Sequence, residues 1–231
     1  MSALRGFLAL TLTWLIFAAP ASAFDLIDLR GPQQPLGGNP EAAKDKNALC
    51  MACHGEQGIT MVPMYPSLAG LPETYLYAQM RAFREKGDPQ SVMAQILAPL
   101  SDQDLRDFAA FYAALPGDGR PAVPQPPVDP QLAAQGEALY LQGDSERGVP
   151  PCQGCHGADA RGLGEARPGW PRLRGQSQAY LHEKLLKYRD GRDIDSTQDK
   201  IMQGVAAHLE ESDVNALSAW LASLIPPPPT P

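Results

Sequence analysis

Apolar positions fall into one long run near the start of the chain and a series of spaced stripes after it. The run, Phe7 to Ala19, follows a single early arginine, Arg5, and ends near Ala21, Ser22 and Ala23. A basic start, a short apolar segment and an Ala-x-Ala end predict a secretory signal peptide, residues 1–23, cleaved after Ala23. A retained anchor is the competing reading, but the run is shorter than the roughly 20 residues of a spanning helix. The later stripes have helical spacing. Tyr75, Leu76, Met80 and Phe83 recur at i, i+1, i+5 and i+8, and Tyr180, Leu181, Leu185 and Tyr188 repeat the pattern. Leu105, Phe108, Ala109, Phe111, Tyr112 and Leu115 give a further helix its apolar face, and Ser101 with Asp104 resembles a capping box at its start. Val214, Leu217, Trp220, Leu221 and Leu224 form the matching face near the C-terminus. No hairpin signal accompanies these stripes, so the predicted class is all-α.

The stripes belong to an internal duplication. Residues 66–88 align with residues 171–193 at a constant offset of 105, so that Pro66, Leu68, Gly70, Tyr75 and Leu76 meet Pro171, Leu173, Gly175, Tyr180 and Leu181. Beyond them the offset becomes 109, and Met93 meets Met202. Between the copies, residues 116–130 carry six prolines, a density that ends helices and favours an extended connector. The expected organisation is a first domain over residues 24–117, a Pro-rich linker over 118–130, a second domain over 131–225 and a disordered Pro-rich tail over 226–231. The first copy lacks the Gly-x-x-x-Tyr of Gly136 and Tyr140, so its opening helix is expected to pack less well.

Charge excludes one class of partner. Residues 24–120 hold 8 basic and 12 acidic residues, and residues 121–231 hold 10 and 14. Each half is mildly acidic, so no nucleic acid is expected as a partner.

Chemistry enters with the cysteines. All four lie in two pentads, Cys50-Met-Ala-Cys53-His54 and Cys152-Gln-Gly-Cys155-His156, which leaves none to staple loops by disulfides. Zinc, a thioredoxin-like redox pair and local disulfides each leave part of the pattern unused. Covalent attachment of haem c uses all of it: two thiols take the two vinyl groups, and the histidine faces the iron. Two covalently bound haems are therefore expected, on Cys50 and Cys53 and on Cys152 and Cys155, with His54 and His156 as proximal ligands. For the opposite side of the iron, the second copy has one methionine after His156, Met202. The first copy offers Met51, Met61, Met64, Met80 and Met93, of which only Met93 is matched by a methionine in the repeat. His182 and His208 pair with Tyr77 and Pro99 and read as surface residues. Arg161, Arg167, Arg172 and Arg174 read as solvated surface or as neutralisation of haem propionates.

Two CxxCH copies, each with a "P-x-L-x-G…Y-L" segment and a methionine ahead of the last helix, resemble the dihaem cytochrome c4 family, and "GEALYLQGDSERGVPPCQGCHG" has its look. The resemblance covers nearly the whole chain after residue 23. It implies tandem class I cytochrome c domains related by a pseudo-twofold axis, with haem propionate edges facing each other. It also implies a periplasmic electron carrier, in some members associated with the membrane periphery. The partners it implies are a donor dehydrogenase or quinol-oxidising complex, and a terminal oxidase or reductase. Alternatives are the cytochrome subunit of a catalytic complex, such as flavocytochrome sulfide dehydrogenase, and a dihaem enzyme such as a peroxidase or thiosulfate dehydrogenase.

Overall fold

A computed structural model describes residues 36–117, 127–164, 169–192 and 194–224. Ten helices occur among them: α1 (Pro40–Lys44), α2 (Ala48–His54), α3 (Glu73–Lys86), α4 (Val92–Leu97), α5 (Asp102–Ala114), α6 (Pro130–Gln142), α7 (Gln153–His156), α8 (Gln178–Arg189), α9 (Thr197–Ala206) and α10 (Glu211–Ser223). One isolated bridge, Asp144 to Val149, is the sole extended pairing among the described residues. The expected signal peptide, most of the Pro-rich linker and the tail over 226–231 lie outside them.

The order of elements repeats, five helices and then five. In the first half α5 packs on α1 and α3; in the second α10 packs on α6 and α8. Each half has its own core. Leu76, Phe108, Ala109 and Tyr112 centre one, and Tyr140, Leu181, Val214, Leu217 and Trp220 the other. The sequence stripes supply these residues because helical spacing brings them to one face. The last helix of each half starts where its side chains cap it. Ser101 and Asp104 form a reciprocal capping box on α5, and Glu210 and Asp213 one on α10. Two short helices, α4 and α9, are absent from the stripe pattern, and they carry Met93 and Met202.

Opening helices differ as the missing Gly-x-x-x-Tyr suggests. α6 has 13 residues and buries Gly136 and Tyr140, whereas α1 has 5 and buries Ala43. Both halves nevertheless bring a glycine against the last helix. A Cβ on Gly136 would lie 2.0 Å from the Ala216 carbonyl oxygen, and one on Gly38 would lie 2.2 Å from that of Arg106. Gly38 precedes α1 and so escapes a search for a glycine within it.

The halves are joined by a buried seam. Ser67 N–H donates to Gln176 Oε1 at 2.9 Å, and Gln176 Nε2 donates back to the Ser67 carbonyl at 2.7 Å. Arg172 donates to the Ala69 carbonyl at 2.8 Å, and Ser177 to the Pro63 carbonyl. Gln79 Nε2 reaches Ser196 and Asp199 at 3.1 and 3.2 Å. Arg172 thus serves as an inter-half contact, while Arg161 pairs with neighbouring Asp159 at 3.2 Å and Arg167 lies outside the described residues.

The glycine contact is testable. Gly136→Val places two methyl groups where the α10 backbone runs, and overpacking of this kind costs about 1–3 kcal/mol. Thermal unfolding of the haem-loaded protein, followed by circular dichroism, is expected to fall by several degrees.

Candidate functional site

The chemistry of each half begins at a helical turn. Cys50, Cys53 and His54 lie in α2, while Cys155 and His156 lie in α7, which Cys152 caps. None of the four cysteines is in a disulfide, and all are half-buried. Burial pushes the Cys152 thiol up to about 11 and moves Cys50 the same way. A glycine ends each turn at positive φ, Gly55 at 83° and Gly157 at 78°. A Cβ there would meet the Ile59 carbonyl oxygen at 1.9 Å or the Gly162 carbonyl oxygen at 2.6 Å, so the chain can double back only through glycine.

That reversal brings each histidine under a proline carbonyl. His54 Nδ1 is 2.9 Å from the Pro66 carbonyl oxygen, and His156 Nδ1 is 2.8 Å from that of Pro171. A proline offers an acceptor and no N–H, so Nδ1 must be the donor and Nε2 keeps its lone pair. Burial lowers the pKa of both imidazoles, against the opposing pull of the carbonyl bond. Both rings are therefore neutral near pH 7, the form in which an imidazole ligates a metal.

His54 and His156 open onto one cavity of about 550 Å³, which Cys50, Cys53, Met93 and Met202 also line. The four residues expected to flank the two irons thus surround a single space that spans the seam. Met80 lines it too and packs against the first core, whereas Met61 and Met64 are 64% and 54% exposed and point elsewhere. His182 approaches Glu211 at 3.7 Å, His208 is exposed, and neither lines the cavity.

The residues present fit haem. His156 Nε2 is buried with no hydrogen-bond partner, as a nitrogen aimed at an iron would be. The indole nitrogen of Trp170, whose ring stands edge-on to His156 with centroids 6.5 Å apart, is also a buried donor with no acceptor. Tyr75 and Tyr180, matched in the repeat, line the cavity, and burial raises both phenols. Other enclosed phenols have protein acceptors: Asn47 for Tyr112, the Gly157 carbonyl for Tyr140 and Asp199 for Tyr188. An apolar ring with carboxylate substituents suits such a lining. Sequence reasoning missed the roles of Pro66, Pro171, Tyr75 and Tyr180, although all four stood among the matched repeat positions.

Two CxxCH turns with buried neutral imidazoles, each set in an all-helical core, define a tandem c-type cytochrome. Residues 43–115 and 133–224 both match the family model for cytochrome c. Cytochrome c4 of Stutzerimonas stutzeri is 39% identical over 196 residues, covering 81% of this chain and 90% of that protein. The thiosulfate dehydrogenase electron acceptor of Thiomonas intermedia is 38% identical over 183 residues, covering 79% and 81%. The crystal structure of reduced recombinant cytochrome c4 from Pseudomonas stutzeri superposes with a TM-score of 0.69 at 38% identity, covering 80% of this chain and 98% of that one. The chain belongs to the dihaem cytochrome c4 family. It carries two covalently bound haem c groups and transfers electrons with redox proteins as partners.

The turn glycines give a prediction that separates the sites. Gly55→Val should leave a protein with one covalent haem, on the second pentad, and Gly157→Val one with a haem on the first. Mass spectrometry of the denatured protein, with haem-peptide mapping, reads both results.

Proposed function

We propose that Cys50, Cys53, Cys152 and Cys155 hold the haems by thioether bonds, that His54 and His156 are the proximal ligands, and that Met93 and Met202 are the distal ones. The observation that carries this reading is the convergence of both histidines and both repeat-matched methionines on one cavity. When bound, the haem supplies one-electron chemistry. The chain's own work is to hold and orient it. Pro66 and Pro171 fix the imidazole planes, and an apolar lining keeps water off the ligands. Thioether ligation opposite an imidazole raises the reduction potential above that of a bis-histidine site. It also leaves no position at the iron for a substrate, which supports a carrier over an enzyme.

The carrier acts in the periplasm, after export on the N-terminal segment and cleavage after Ala23. It takes electrons from a donor dehydrogenase or quinol-oxidising complex and passes them to a terminal oxidase or reductase. Among the described residues no helix is long and apolar enough to cross a membrane. A second reading, service as the acceptor of one particular dehydrogenase, is favoured by the 38% identity to a thiosulfate dehydrogenase electron acceptor. Co-purification with a catalytic chain would separate that role from a free carrier.

Replacement of the distal residues tests the ligand set. Met93→Ala and Met202→Ala should each remove one ferric methionine–sulfur charge-transfer signature and create one equivalent of carbon monoxide binding in the reduced protein. The unmodified protein should scarcely bind carbon monoxide. Met61→Ala and Met64→Ala should leave both signatures, and loss of one in either variant would reassign the first distal ligand.

A further inference from the structure

We infer that Gln79, in the first half, is a positioning residue for the second iron: by holding the start of α9 it keeps Met202 seated there as the distal ligand. The inference rests on the ligand set proposed above and adds a control that crosses from one half to the other. Gln79 lies in α3 and lines the cavity. Its Nε2 donates to Ser196 Oγ at 3.1 Å and to Asp199 Oδ1 at 3.2 Å. Those two side chains form the capping box that opens α9. Ser196 Oγ accepts from the Asp199 N–H at 3.1 Å, and Asp199 Oδ2 accepts from the Ser196 N–H at 2.9 Å. A residue of the first half thus joins the cap of the helix that carries Met202. Lys86, the last residue of α3, pairs with Asp195 at 3.1 Å, so α3 meets the entry to α9 at two places.

The grip concentrates on Asp199. Its side chain is buried, and its Oδ1 also accepts from the Tyr188 hydroxyl of α8 at 2.9 Å. The first turn of α9 is therefore held by one helix from each half. Asp199 and Met202 stand three residues apart, which places them on one face of α9. Met202 is only half-buried against the second core, so packing alone does not fix it. A helix of ten residues has little stability of its own and depends on what holds its ends. Met202 can leave the iron by a swing of its side chain or by a shift of α9, and a first turn held from both halves resists the shift.

The duplication provides an internal control. Gln90 stands in the first copy where Asp199 stands in the second and offers no carboxylate. The α4 cap is Ser91, which accepts from the Ala94 N–H at 3.2 Å. Met93 is the second residue of α4, among the first N–H groups that a helix leaves without an internal partner, whereas Met202 is the sixth residue of α9. The repeat matches Gln79 with Lys184, and Lys184 Nζ stands 3.8 Å from the same Asp199. Matched side chains of the two copies thus converge on one carboxylate, that of the helix carrying Met202.

The test displaces the thioether with imidazole in the oxidised, haem-loaded, full-length protein. In Met93→Ala the remaining methionine–sulfur charge-transfer band reports Met202, and in Met202→Ala it reports Met93. Gln79→Leu keeps the size of the side chain and removes its donor. Added to Met93→Ala, it should lower by about tenfold the imidazole concentration that halves the band, as loss of a hydrogen bond to a carboxylate would. Added to Met202→Ala, it should change that concentration by less than about twofold, because Met93 shares no partner with Gln79. The band of Met93 then also shows that the Gln79→Leu protein is folded. Gln79→Lys puts the residue of the second copy at this place and keeps a donor toward Asp199, so it should restore the Met202 value. An unchanged Met202 band, equal weakening of both bands, or failure of Gln79→Lys to rescue would overturn the inference. If Met93→Ala or Met202→Ala alone left both bands, the ligand set would fall and the inference with it. If each leaves one band and Gln79→Leu moves neither, the ligand set stands and the positioning role does not.

Discussion

A hydrogen bond from a histidine ring to a proline carbonyl orders the rest of each half. The pentad can present two thiols and an imidazole together only if the ring is held in one orientation with Nε2 free. His54 and His156 achieve this at 2.9 and 2.8 Å from Pro66 and Pro171. The bond requires the chain to return over the turn, and Gly55 and Gly157 allow it through conformations that a Cβ would block. It also requires burial, which keeps the imidazole neutral. The proline that accepts it opens the segment leading into α3 or α8, so orienting the ring positions the tyrosine that follows nine residues on.

Duplication gives this device twice, and a seam of hydrogen bonds joins the two copies. Ser67 and Gln176 exchange hydrogen bonds across it, and Gln79 ties α3 to the capping pair that opens α9. One continuous cavity lies behind that seam rather than two closed pockets. The helix carrying Met202 is therefore anchored partly by the opposite half. Asp199, 1% exposed, caps α9 and accepts from both Tyr188 and Gln79. Its match in the first copy is Gln90, which makes no such bond, and α4 is capped by Ser91 alone. The halves share a plan and differ in how firmly the distal helix is held.

Much of this was legible in the sequence, for physical reasons that differ by residue. Helices α3, α5, α8 and α10 are long enough for their apolar faces to repeat, so periodicity reveals them. Helices α4 and α9 are short and turn Met93 and Met202 toward a cavity; Met202 stood out as the one methionine after His156, and Met93 because the copies agree there. Cysteine and histidine at fixed spacing declare their chemistry. The carbonyls of Pro66 and Pro171 do not, because a backbone acceptor leaves no mark in residue type. Gly38 was missed for a related reason: it meets α5 from outside a helix, where no spacing rule applies.

The account stands on both irons having an imidazole on one side and a thioether on the other. Low-temperature electron paramagnetic resonance of the fully oxidised protein tests this directly. Two low-spin ferric species of the histidine–methionine type, in equal amounts and with no high-spin component, are the expected result. A high-spin signal, or a bis-imidazole species at either site, would contradict it.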